Sequence, residues 1–166
     1  YASLANMATT VVDTGDDLWE IARLANFGRL EKVPQLAYTQ LNKTMDRLVD
    51  DAFSYPGSVF YLHHMKERWS QYTDPQTGKE KGKPSGIFEM SGYKGWIDKV
   101  QTILELWRED LQEPNESTGR MVRFNATVIK SRHNADIIGY VFKDDEITIS
   151  EIGTALVKNS KRSDWE

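Results

Sequence analysis

Cysteine is absent from the 166 residues, which excludes a disulfide framework, a Cys-based zinc site and a thiol nucleophile. No apolar run approaches the roughly 18 residues that a membrane span needs. A strong charge of one sign is also missing: Lys+Arg 21 against Asp+Glu 25 leaves −4. Any contact with nucleic acid must therefore come from local basic patches on a mildly acidic whole. The chain starts at Tyr1 with neither a Met nor a signal-like leader, and is read as a piece of something longer. What is present is globular in proportion. Hydrophobic residues at 39%, aromatics at 11% and charged residues at 28% suit a single domain, 1–166, with one core.

A short helix is expected at 3–7. Thr9-Thr10-Val11-Val12 is a β-branched run that stops at Asp13 and reads as a buried strand with a carboxylate at its C-terminal end. Thr14 stands three residues before Asp17, a capping spacing with acids in the first turn, so a helix starts there. Pro34 suits the first turn of a second helix, whose apolar positions Leu41, Met45, Leu48, Val49 and Ala52 recur at three- and four-residue steps. Ser58 to Leu62 is a second apolar run and ends at His63-His64. Strand, helices, strand at this spacing predicts a parallel pair, with Asp13 and His63 near one edge, the edge where open α/β sheets bind ligands.

From Lys66 to Gly86 turn formers are interleaved with Lys66, Arg68, Lys79, Lys81 and Lys83, which predicts a long mobile loop at about 66–86. Trp69 and Tyr72 lie among those cations, and aromatics so placed suit base stacking on single-stranded nucleic acid. Trp19, Trp96 and Trp107 lie in apolar stretches and read as core. In the last third, Val100 to Leu106 and Met121 to Ile129 read as strands. Ile137 to Phe142 and Ile147 to Ile149 read as an antiparallel hairpin, and Thr148 as the cap of a final helix.

Three constellations carry chemistry. Asp13 at the end of a buried strand is a Walker B arrangement, which holds Mg²⁺ against nucleotide phosphates. At the end of the neighbouring strand stand His63 and His64, whose rings alternate in direction so that one of them points into the site. Lys130 and Arg132 follow a strand of about nine residues and project the same way, a pair able to meet a polyphosphate.

The order of these motifs, Thr9 to Thr14, a strand ending in His63-His64-Met65-Lys66, a Gly-rich basic loop, Gly92-Tyr93, then Val128 to Arg132, resembles the RecA-like ATPases carried by bacteriophages. The resemblance runs from about Thr9 to Phe142. It implies a RecA-like three-layer α/β/α sandwich, mostly parallel, with a C-terminal antiparallel hairpin. It also implies an ATP-dependent, DNA-binding enzyme of phage recombination, annealing or replication, working in the host cytoplasm as a homo-oligomer on single-stranded DNA. Asp13 would hold Mg²⁺; Asp13, Thr14, Lys130 and Arg132 would face ATP; His63 and His64 would serve the catalytic edge. Lys130-Ser131-Arg132 is similar to the finger that reaches a neighbouring subunit's γ-phosphate. Lys66, Arg68, Trp69, Lys79, Lys81 and Lys83 would contact DNA.

One part of that pattern is missing. No G-x-x-x-x-G-K-[ST] phosphate loop occurs, and Gly78 to Pro84 has the wrong spacing. Either the chain is the C-terminal part of a longer ATPase or it is a degenerate relative, and alone it should bind nucleotide poorly. Two rival readings stay open. One is a metal-dependent hydrolase using Asp13, Asp16, Asp17 and the histidines. The other is a non-catalytic interaction domain.

Overall fold

A computed structural model describes residues 9–29 and 33–164; the helix expected at 3–7 lies outside the described residues. The chain falls into two compact units, Tyr1–Lys99 and Val100–Glu166.

In the first unit, β1 (Thr9–Val12) and β2 (Ser58–Tyr61) run parallel and in register, Thr9 opposite Ser58 and Val12 opposite Tyr61. Between them lie α1 (Gly15–Phe27) and α2 (Tyr38–Ala52). Thr14 caps α1, its hydroxyl accepting from the Asp17 N–H, as the spacing predicts. A 3-10 turn, Gln35–Ala37, separates Pro34 from α2. Leu41, Met45 and Val49 bury one stripe of α2, and Trp96 of α3 (Trp96–Lys99) closes the core at 1% exposure, its indole N–H donating to the Met45 carbonyl.

The segment expected as a loop at 66–86 lies almost wholly within a hairpin, β3 (Met65–Thr73) and β4 (Glu80–Met90), antiparallel with one irregularity between Glu67 and Trp69. Its turn is built locally. Asp74 Oδ1 accepts from the Gln76 and Thr77 N–H groups, Lys81 pairs with the same carboxylate, and Gly78 takes φ 65°. Pro84, which reads as a breaker, is tolerated because each strand of a two-stranded ribbon keeps one unpaired edge.

The second unit is antiparallel throughout. β5 (Thr102–Asp110) pairs with β6 (Val122–Ser131), and β6 with β7 (Val141–Lys143). Its core is Ala126, Val128, Phe142 and Leu156, the last from α4 (Ile149–Leu156). Thr148 caps α4 as expected, whereas Trp107 is 42% exposed rather than core.

These sheets overturn the RecA-like three-layer sandwich. Among the described residues the strands form a two-stranded parallel pair, a two-stranded antiparallel ribbon and a three-stranded antiparallel sheet, so parallel pairing is confined to β1 and β2. The C-terminal hairpin is corrected too: residues 135–137 and 144–146 are 3-10 turns, residues 147–148 lead into α4, and β7 pairs back onto β6. The physical reason is local closure. Short turns at 74–78 and 115–119, each pinned by an Asp or Asn side chain accepting from backbone N–H groups, satisfy neighbouring strands without a crossover.

Candidate functional site

The parallel ladder of β1 and β2 continues past both strands: the Leu62 N–H donates to the Val12 carbonyl at 2.9 Å and the Gly15 N–H to the Leu62 carbonyl at 2.7 Å. Asp13, Thr14 and the start of α1 are thereby held beside His63 and His64. In a parallel pair both C-terminal ends face the same way, so polar residues following the two strands collect at one edge.

The two histidines take opposite environments. His63 turns inward and donates from Nδ1 to the Ser91 carbonyl at 3.2 Å. Its ring meets Trp96 edge-on at 5.1 Å, and its Nε2 is buried without a hydrogen-bond partner. Burial pushes its pKa down, against the Ser91 hydrogen bond, which favours the charged form. Gly15 lies against this ring pair: a Cβ there would collide with both His63 and Trp96.

His64 turns outward. Its Nδ1 donates to Asp16 Oδ2 at 3.0 Å and its backbone N–H to Asp16 Oδ1 at 3.3 Å, which raises its pKa, helped by the charges of Asp17 and Asp13. Burial alone would raise the Asp16 carboxyl, but hydrogen bonds from His64 and Thr14 outweigh it and hold the group at about 2. The hairpin is rooted in the same cluster. The Ser91 N–H donates to the His64 carbonyl at 2.8 Å, and Gly92, at φ 83°, packs so closely on Asp16 that a Cβ would reach 2.9 Å from its Cα.

Asp13 is exposed, and its carboxylate makes no hydrogen bond or ion pair with the described residues. It is thus available to accept from the water shell of a cation. Among the described residues no group of three His, Asp or Glu side chains converges to hold a metal by protein ligands alone. Asp13, Thr14, His63 and His64 are therefore brought together. Lys130 and Arg132 belong to the second unit, Lys130 half-buried at the end of β6 and Arg132 exposed just beyond it, its N–H donating to the Gln101 carbonyl.

The nominated nucleic-acid residues all lie on the hairpin or its turn: Lys66, Arg68 and Trp69 on β3, Lys81 and Lys83 on β4, Lys79 beside the tip. Trp69 is 65% exposed. The hydrogen bond between Asp16 and His64, and the packing of Ser91, Gly92 and Trp96 against the edge, are not visible in the sequence. Their partners lie tens of residues away, and no local spacing announces such contacts.

No helix among the described residues is long and apolar enough to cross a membrane. Compared with known protein families, with curated proteins and with solved structures, the chain has no match.

Proposed function

We propose that the chain forms part of an ATP-dependent, DNA-binding enzyme of recombination, annealing or replication, with Asp13 at its nucleotide edge. The observation that supports this best is the in-register parallel pair β1–β2, which sets an unpartnered carboxylate beside two histidines where a helix begins. The reading needs that pair alone and does not depend on a larger parallel sheet.

When bound, magnesium and ATP supply a polarised γ-phosphoryl group. Asp13 fits the metal's water shell, and Thr14, capping α1 beside it, fixes the local backbone. Asp16 orients His64 by accepting a hydrogen bond from its Nδ1–H, so that the second ring nitrogen faces bound water or phosphate. His63 carries its Nδ1 proton toward the Ser91 carbonyl, and its burial favours the neutral ring. The phosphate cradle itself is not supplied by these residues, since no G-x-x-x-x-G-K-[ST] occurs in the sequence. Lys130 and Arg132 act on this reading across a subunit boundary, which makes the working form a homo-oligomer, in the cytoplasm, on single-stranded DNA.

The test is turnover of magnesium-ATP, with and without single-stranded DNA, by the polypeptide as the cell makes it. Asp13→Asn is expected to lower kcat on the order of a hundredfold or more. Wild-type protein that hydrolyses no ATP, or an Asp13→Asn variant with unchanged turnover, refutes the reading.

A further inference from the structure

The hairpin has two chemically different faces, and its register sorts them. Between the pairs Glu67–Phe88 and Trp69–Pro84 one residue intervenes on β3 and three on β4. The extra residues are taken up on β4, where Gly86 has φ 72°, while β3 is continuous from Met65 to Thr73 and keeps its alternation, so Lys66, Arg68, Ser70 and Tyr72 share one face and each paired β4 residue takes the face of its partner. Two diagonal contacts fix the faces between the irregularity and the turn. Trp69 covers Gly82, where an added Cβ would come within 3.1 Å of the indole, and Lys83 Nζ stands 5.5 Å from the centroid of the Tyr72 ring.

One face therefore carries Met65, Glu67, Trp69, Glu80, Pro84 and Phe88. The other carries Lys66, Arg68, Ser70, Tyr72, Lys81 and Lys83. Exposure favours Trp69 as a stacking platform, at 65% against 38% for Tyr72. Charge decides the other way. The charged side chains on the Trp69 face are carboxylates, which repel phosphate, whereas the Tyr72 face carries Lys66, Arg68 and Lys83, together with Lys81, which pairs with Asp74. Glu89, also on the basic face opposite Lys66, is neutralised by Lys94 at 2.5 Å.

We propose that the backbone of single-stranded DNA runs along the Tyr72 face, with one base stacked on Tyr72, and that Trp69 takes no part in binding. This rests on the reading of the chain as DNA-binding and names the surface that does it. The spacing suits a single strand. Alternate residues of a β-strand lie about 6.6 Å apart, so Lys66 and Arg68 match successive phosphates of an extended polynucleotide, with Lys83 beside Tyr72, while Lys81 is held by Asp74 at the turn. An exposed aromatic ring accepts an unpaired base without the cost of opening a duplex, and a cation beside it favours the base's phosphate.

The experiment is fluorescence anisotropy of a labelled oligothymidylate against the full chain over a range of salt. Tyr72→Ala is expected to weaken binding roughly tenfold, with Tyr72→Phe retaining affinity, and Trp69→Ala to stay within about twofold. Lys66→Gln with Lys83→Gln should reduce the slope of log affinity against log salt by about 1.4, since each phosphate contact to a single strand contributes about 0.7. Equal losses for Trp69→Ala and Tyr72→Ala, an unchanged slope in the double variant, or equal affinity for a duplex of the same length overturns the assignment while leaving DNA binding intact. Failure of the wild-type chain to bind any oligonucleotide overturns the underlying reading as well.

Discussion

The two units meet the demands of burial and hydrogen bonding in different ways. The first builds its core from side chains on helices, Leu41, Met45, Val49 and Trp96, around a parallel pair that leaves Val11 57% exposed. The second makes a sheet-and-helix core of Ala126, Val128, Phe142 and Leu156, with each strand paired to its neighbour through antiparallel ladders. Their polar groups follow suit. In the second unit they pin turns: Asp144 accepts from the Phe124 N–H and from Asn115 Nδ2. In the first, Asp74 pins the turn of the antiparallel hairpin in the same way, but beside the parallel pair Asp13 keeps an unpartnered carboxylate at the edge. The difference teaches that pairing direction, more than composition, decides where reactive groups remain available.

The largest effect expected from breaking this comparison is on turnover. On the ATPase reading proposed above, Arg132→Ala should lower ATP hydrolysis about a thousandfold or more while the second unit keeps its hydrogen-exchange protection. Mixing it with Asp13→Ala should restore part of the activity at shared interfaces, and a mixture that stays inactive rules out the trans role. Next in size, Trp96→Ala removes the largest fully buried side chain and should destabilise the first unit by about 3–5 kcal/mol. Amides of α2 should then exchange faster while those of β5 and β6 do not; equal acceleration in both units would show that they unfold as one.

Smaller losses test the helix caps symmetrically. Thr14→Ala and Thr148→Ala each remove one hydroxyl that accepts from a first-turn N–H and should each cost about 1 kcal/mol, read by denaturant unfolding. A cap loss well above that figure for Thr14→Ala alone would assign Thr14 a part in holding the edge.

Opposite pH responses of the adjacent histidines sharpen the comparison further. Burial lowers the pKa of His63, so its contribution to stability is present above about pH 6.5 and is lost as pH falls through the depressed value. Asp16 raises that of His64, whose contribution is full below about pH 6.5 and is lost as pH rises through the raised value. Asp16, held at about 2, contributes above about pH 3.8 and loses this as pH falls towards 2. NMR titration should place the two imidazoles on opposite sides of 6.5, and Asp16→Asn should bring His64 down. A His64 midpoint unmoved by that change would break the ion-pair account.

Much of the first unit was legible in the sequence because its signals are local. The Thr14 cap, the α2 stripe and the strand runs ending at Asp13 and His63 each lie within a few residues, and the crossover length between two apolar runs was enough to give parallel pairing. The error came from extending that pairing to the whole chain. Residues 66–86 contain five glycines and prolines among cations, and their hairpin depends on cross-strand partners such as Trp69 over Gly82, which a reading of local spacing does not pair. Lys143 to Glu146 misled for the opposite reason. An acidic run resembling a hairpin turn is a 3-10 turn in which Glu146 accepts from the Lys143 N–H, and the chain then enters α4. His64 pairing with Asp16 is legible only once the strand ends are placed side by side.

Gly15 sets a limit on engineering this protein. Its place at the first position of α1 is one where helix propensity recommends alanine, an exchange that ordinarily gains about 0.4–1 kcal/mol when the backbone can accept it. A stabilisation scheme that scores residues by local preference would rank Gly15→Ala highly. The added methyl group would meet the rings of His63 and Trp96, and relieving that collision means moving a core tryptophan or the strand end that carries both histidines. The permitted alphabet at position 15 is thus written by residues 63 and 96, and a substitution that improves the helix in isolation would dismantle the edge it starts from.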